Sequence, residues 1–249
     1  MSDSIRFSEA EIRLFEQLKG FGYAPDVIYD VGASNGMWSS VINPIFPLAA
    51  YHLFEPLADT MAAYAESLAG VLPSHPNFQL HKIGLGNENE TKEMAIFKGG
   101  FGSTFLEIDR IKSIQDSLKA ADHLETISSF PVRRLDDFAA EQGLPHPHIV
   151  KMDTQGFEVE IIEGGRQTIR GADILLLETW LYRGYGETTP LLHELMAHVG
   201  ELGFVLVDFG DIYWADKHKL TSIDAVFMRE DFLDEVQSST HNWNWRVWR

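Results

Sequence analysis

This sequence predicts an open α/β sheet with helices packed on both of its faces, and three observations lead there. Nearly continuous apolar runs of strand length recur at 27–32, 50–54, 148–153 and 174–178. Stretches with helical spacing of apolar residues alternate with them. The strand runs are apolar at successive positions rather than every second one, so both faces of the sheet are covered, as crossover helices require.

The elements follow in order. Ser8-Glu9-Ala10-Glu11 opens a leading helix with Ile12, Leu14, Phe15 and Leu18 on one face, and residues 1–26 form an N-terminal helical extension. The first strand, 27–32, runs into a turn with Gly32 and Gly36, after which a helix begins. The second strand, 50–54, precedes a helix from 57 to about 69 carrying Met61, Tyr64 and Leu68. Phe78 to Ile83 is a third strand, and Met94 to Phe97 a short extra one after the polar turn Gly86-Asn87-Glu88-Asn89. Residues 99–130 are the least regular part, and are expected to form a lid or insertion beside the site. Alternation resumes at Val132 and Leu135 and leads into a helix near Asp136-Asp137-Phe138. The fourth main strand, 148–153, is followed by a helix over 156–170, and the fifth is 174–178. A helix over about 189–201 leads to Phe204–Val207 and Ala225–Met228, an antiparallel pair that closes the sheet. The folded domain spans 27–230, and 231–249 is an aromatic tail whose Trp243, Trp245 and Trp248 would anchor on the domain or on a second copy in a homodimer.

Composition narrows the classes of function. Net charge is −17, from 37 acidic and 20 basic residues, a surface that repels phosphate backbones; nucleic acid is not an expected partner. The absence of cysteine excludes disulfides, a thiol nucleophile and cysteine zinc sites. The polar N-terminus has no signal-peptide core and no run has the length of a membrane span, so a cytoplasmic protein without a membrane partner is the expectation.

The stretch Asp30-Val31-Gly32-Ala33-Ser34-Asn35-Gly36 carries the first functional signal. Ligands of open α/β sheets bind at the carboxyl ends of the strands, where the strand order reverses. Gly32 and Gly36 let the backbone turn sharply and approach a ligand, and the helix opening after Asn35 offers free N–H groups to an anion such as a methionine carboxylate. Asp30 would face an ammonium group. Glu55, at the end of the second strand, can accept hydrogen bonds from two ribose hydroxyls. An acid within the first strand and a Gly-x-x-x-Gly spacing, in place of G-x-G-x-x-G, point to S-adenosylmethionine more than to a dinucleotide. The candidate cofactor residues are Asp30, Gly32, Ser34, Asn35, Gly36, Glu55 and Pro56.

Asp153 and Glu178 end the next strands at the same edge. With the earlier motifs, the chain resembles the FkbM family of S-adenosylmethionine-dependent methyltransferases. The matching segments are DVGASNGMWSS at 30–40, FEP at 54–56, IGLGNE at 83–88, LDDF at 135–138, KMDTQGFEVEIIEGG at 151–165 and LLLE at 175–178. Many relatives carry Asn at the position of Ser34 and Glu at that of Gln155. The resemblance implies a seven-stranded Rossmann-like class I methyltransferase fold, mostly parallel with an antiparallel last strand. It also implies methyl transfer to a hydroxyl of a small molecule, often a sugar or natural product, with cofactor contacts at Asp30, Gly32, Gly36 and Glu55 and with Asp153 near the acceptor.

Methyl transfer to an alcohol needs alignment and a way to take up the hydroxyl proton. Asp153 is the first candidate base, unless it only caps the following helix. His193 is the second, and His218 a further alternative. His146 and His148 read as loop residues. Magnesium held by Asp153 and Glu178 is the less favoured route, and Asp136-Asp137 reads as a helix opening. Ser103-Thr104 would wall the acceptor side, and Trp180, Tyr182 and Tyr185 would offer flat apolar contacts to it. The alternatives of another class are a nicotinamide-dependent oxidoreductase and a cofactor-binding module without turnover.

Overall fold

The computed structural model describes residues 9–107, 124–216 and 218–239. In chain order the elements are α1 (Glu9–Gly20), β1 (Val27–Val31), α2 (Met37–Ile42), β2 (Ala50–Phe54), α3 (Ala62–Ser74), β3 (Phe78–His81), β4 (Gly84–Gly86), β5 (Glu90–Phe97) and β6 (Leu124–Arg134). There follow α4 (Leu135–Gln142), β7 (Ile149–Met152), α5 (Glu158–Gly164), α6 (Arg166–Arg170), β8 (Ile174–Trp180), α7 (Leu192–Gly200), β9 (Phe204–Asp216), β10 (Lys219–Arg229) and α8 (Glu230–Ser239).

The main sheet has seven strands in the order β3-β2-β1-β7-β8-β10-β9. β10 runs antiparallel to both neighbours and the other pairs are parallel. The chain winds outward from β1 through β2 to β3, then returns to lay β7 on the other side of β1. This reversal opens a crevice at the carboxyl ends of β1 and β7, and it sets Asp30 beside Lys151 in register. Ile28, Tyr29, Ile149, Val150, Ile174 and Leu175 are fully excluded from solvent, which explains why these strands read as unbroken apolar runs. α1 buries Leu14, Phe15 and Leu18, and Phe15 meets Phe46 and Trp38 edge to face. Each such side chain contributes about 1.5–3 kcal/mol when fully buried.

Several boundaries differ from the expectation, each for a local reason. The helix expected from 57 starts at Ala62, because the N–H groups of Thr60 and Met61 close a turn on the Leu57 carbonyl after Pro56. The helix expected over 156–170 is broken into α5 and α6 at Gly165. A Cβ on Gly164 would stand 1.8 Å from the Gly86 carbonyl oxygen, so α5 lies directly on the backbone of β4. The 99–130 stretch is not irregular throughout. Leu124–Arg134 forms β6 of a separate sheet, β4-β6-β5, whose polar outer residues hide it from a hydrophobicity reading. β9 and β10 are much longer than the short runs that announced them. The aromatic tail from Trp243 lies outside the described residues. Among those described, no helix is long and apolar enough to cross a membrane.

Candidate active site

The crevice is built on a tight turn. Gly32 (φ +73°), Ser34 (φ 52°) and Gly36 (φ 76°) are left-handed, and the N–H groups of Gly32 and Ala33 both donate to the Phe54 carbonyl at the end of β2. A Cβ on Gly32 would collide with the Asp153 carbonyl oxygen. The same turn fastens Glu55. Ser34 N donates to Glu55 Oε2 and Leu57 N donates to Oε1, both at 2.8 Å, leaving one lone-pair direction on each oxygen for a ligand. Burial pushes the Glu55 carboxyl up to about 7 in spite of these two donors. Asn35 spends its Oδ1 on Met37 N at 3.1 Å, at the start of α2.

Asp30 takes a different place from the one expected. It is fully buried and lines neither cavity described below. Ser39 Oγ donates to its Oδ2 at 2.7 Å, and Lys151 Nζ stands 3.4 Å from Oδ1 without hydrogen-bond geometry. The same ammonium lies 3.3 Å from the Gly32 carbonyl oxygen and 3.6 Å from Asp153 Oδ2. Burial alone would lower the Lys151 pKa, but Asp30, Asp153, Asp224 and Glu11 outweigh it and hold the ammonium above its ordinary value. Asp30 therefore supports the turn through Lys151. A lysine inside the run Ile149-Val150-Lys151-Met152 was the sequence signal for this pair.

A cleft enclosing about 960 Å³, its open mouth included, passes over the turn. Glu55, Pro56 and Tyr64 line it, together with the apolar Ile83, Leu85, Met94, Phe105 and Phe157. Gly32, Ser34, Phe101, Asp153, Glu178 and Tyr213 are shared with a second chamber, which adds Glu11, Trp38, Lys151, Asp211 and Asp224. Glu11 was not anticipated. It comes from the leading helix, its Oε2 accepts from Trp38 Nε1 at 3.0 Å, and burial raises its carboxyl to about 7. The clue was a carboxylate on the apolar face of Leu14 and Leu18. Asp224 is likewise pushed well above its ordinary value, first by burial and then by Glu11 and Asp153.

Asp153 and Glu178 do converge, through a residue between them. Gln155 Nε2 donates to Asp153 Oδ1 and to Glu178 Oε2, each at 2.8 Å, and Tyr185 OH donates to Gln155 Oε1 at 2.6 Å. Glu178 also accepts from Ser222 Oγ at 3.3 Å, and burial, then Asp153 and Glu158, raise its pKa well above the ordinary carboxylate range. Glu158 Oε1 accepts from Thr154 N at 2.9 Å, Thr154 Oγ1 at 3.0 Å and Gly156 N at 3.3 Å, fixing the loop that carries Gln155. Among the described residues, no group of three or more His, Cys, Asp or Glu side chains has the arrangement of a metal site.

The other candidates fall elsewhere. His193 is exposed on α7, His218 is exposed at the turn between β9 and β10, and neither lines the cleft or the chamber. Trp180 and Tyr185 are buried against each other, so the aromatic walls are Trp38, Phe101 and Tyr213 instead. Ser103 does line the cleft, where its Oγ accepts from Phe97 N at 3.1 Å, whereas Thr104 is fully buried. Asp136 accepts from Gln167 N and Thr168 N at the start of α6, a structural role.

Comparison with known proteins shows the family of the chain. The methyltransferase FkbM domain matches residues 30–206. The 2-O-methyltransferase NoeI of Sinorhizobium fredii is 24% identical over 174 residues, covering 68% of this chain and 69% of that protein. The solved structure of methyltransferase FkbM from Methylobacillus flagellatus KT superposes with a TM-score of 0.50 at 15% identity. That match covers 82% of this chain and 43% of the longer one, so the chain spans under half of that relative. Precorrin-6y C5,15-methyltransferase of Geobacter metallireducens GS-15 gives a TM-score of 0.46 at 12% identity, covering 91% of this chain and 93% of the other.

Proposed function

The chain belongs to the FkbM methyltransferase family, and on that premise we propose that it transfers the methyl group of S-adenosylmethionine to a hydroxyl of a small, sugar-like acceptor. The observation that carries the reading is the adjacency of the two spaces, which share Asp153 and five other lining residues. Glu55, with both oxygens already oriented, lines the cleft, and Asp153 stands in the wall shared with the second chamber. The 2-O-methyltransferase name of the Sinorhizobium relative supports oxygen as the acceptor atom.

The residues fit this cofactor. The Gly32 turn gives close backbone approach, Glu55 offers two acceptors to the ribose hydroxyls, and Leu85 and Phe157 supply apolar surface for a purine. When bound, S-adenosylmethionine supplies an electrophilic methyl on a good leaving group. The protein's part is alignment and proton uptake. Asp153, positioned by Lys151 and the Gln155 amide, takes the acceptor proton. His193 and a magnesium ion are not needed in this scheme.

The second chamber sets the acceptor class. Its wall carries five carboxylates, Glu11, Asp153, Glu178, Asp211 and Asp224, and one lysine, with Trp38, Phe101 and Tyr213 as flat surfaces. Carboxyl groups bind neutral hydroxyls well in either protonation state, and the wall offers an anion only Lys151 as a cation, so neutral glycosides are favoured over phosphorylated or carboxylated ones. Transfer of labelled methyl to a panel of neutral and phosphorylated methyl glycosides tests this. Asp153→Asn is expected to lower turnover by at least about tenfold, and nearer 100-fold for a fully positioned base, with cofactor affinity within about threefold. Full turnover by that variant would make Asp153 a loop residue.

A further inference from the structure

Gln155 is held in an unfavourable backbone conformation by an unusual number of partners. Its φ is 58°, which costs a non-glycine residue on the order of 1 kcal/mol. Thr104 Oγ1 holds its carbonyl oxygen at 2.9 Å, and Glu158 closes the turn on either side of it. The side chain uses its whole amide. Both N–H bonds go to carboxylates at 2.8 Å, and the oxygen accepts from Tyr185, whose buried ring packs edge-on against Trp180. The two carboxyl acceptors on the nitrogen side fix which way the amide points, since a hydroxyl can face either end of it. Without the Gln155 donors, Asp153 Oδ1 and the buried Glu178 carboxyl would lose the group that joins them.

We propose that Gln155 is the positioning residue of the acceptor side, its NH₂ group standing between Asp153 and Glu178 where a divalent cation would otherwise stand. The inference rests on the reading of Asp153 as the base. As the acceptor O–CH₃ bond forms and the sulfonium C–S bond breaks, the hydroxyl proton passes to Asp153 Oδ2 and S-adenosylhomocysteine leaves. Gln155 gains and loses nothing in that step. It holds Oδ1, and so keeps Oδ2 toward Lys151 and the chamber.

The test compares the wild type with Gln155→Leu, Gln155→Glu and Asp153→Asn. It reads methyl transfer to methyl glycosides, S-adenosylmethionine affinity by calorimetry and Mn²⁺ binding by electron paramagnetic resonance. Gln155→Leu is expected to lose at least about tenfold in kcat while the cofactor affinity stays within about threefold. Gln155→Glu replaces the donors by a third carboxylate. It should bind one Mn²⁺ per chain, be inactive in chelator and regain turnover with Mn²⁺, whereas the wild type does none of these. A wild type that loses turnover in chelator and regains it with Mn²⁺ overturns the proposal, as does Gln155→Leu with full kcat. If Gln155→Leu does not fold, folded Gln155→Glu that binds no Mn²⁺ overturns it, and that arm needs no acceptor. Asp153→Asn at full turnover removes the base reading. Asp153→Asn impaired beside Gln155→Leu at full kcat removes only the assignment of Gln155.

Discussion

The Cβ that Gly32 lacks would stand 2.1 Å from the carbonyl oxygen of Asp153. The turn after β1 and the end of β7 thus meet backbone against backbone, and this closeness lets one wall serve both the cleft and the second chamber. Gly32→Ala must also place a Cβ at φ +73°. The variant should lose about 1–3 kcal/mol of stability and bind S-adenosylmethionine at least tenfold more weakly. Urea unfolding and calorimetry read the two effects, and wild-type values in both would mean that the two strand ends separate freely.

Glu55→Ala should weaken S-adenosylmethionine binding by more than tenfold, since hydrogen bonds to a charged group contribute about 1.5–3 kcal/mol. The pH dependence is a second signature. The unliganded carboxyl titrates near 7 and must be ionised to accept from both hydroxyls, so the dissociation constant should fall as pH rises from 6 to 8. Titrations in buffers of different ionisation enthalpy should show proton release at pH 6. A Glu55→Gln protein with the same pH dependence as the wild type would rule out this group as its source.

Lys151→Met should be among the most damaging substitutions, because it leaves Asp30 as a buried charge with only Ser39 for a partner. Breaking a buried pair from one side costs about 3–5 kcal/mol, and removing both charges costs less. The double variant Asp30→Asn with Lys151→Met should therefore recover part of the loss in a denaturant titration. Additive losses would show that the two side chains do not act on each other.

The unliganded protein should lose stability as pH rises. Burial lifts Glu11, Glu55 and Glu158 from near 4.5 to about 7 in the folded chain. Each then favours folding most fully below pH 4.5, and that contribution disappears as pH passes through 7, at about 1.4 kcal/mol per unit of difference as an upper bound. Scanning calorimetry from pH 5.5 to 8 should show a falling Tm, and saturating S-adenosylmethionine should offset the fall by its own binding energy. A Tm that rises over this window would show that these carboxylates are solvated.

The strands, the left-handed turn at Gly32 and Gly36, and the acid at the end of β2 were legible in the sequence because each is written in contiguous residues. Apolar runs, glycine spacing and strand ends obey local rules of burial and backbone sterics. What only the tertiary structure decided are meetings between residues far apart in the chain. Glu11 comes to the chamber because α1 packs its apolar face against α2 and the loop before β2. Asp30 turns to Lys151 and not to the cleft because parallel register sets the two side by side. Gln155 joins Asp153 to Glu178 because its left-handed backbone, held by Thr104 and Glu158, aims the amide across the strand ends. Side-chain direction at such points is set by loop dihedrals and by partners many residues away, and periodicity carries no record of either.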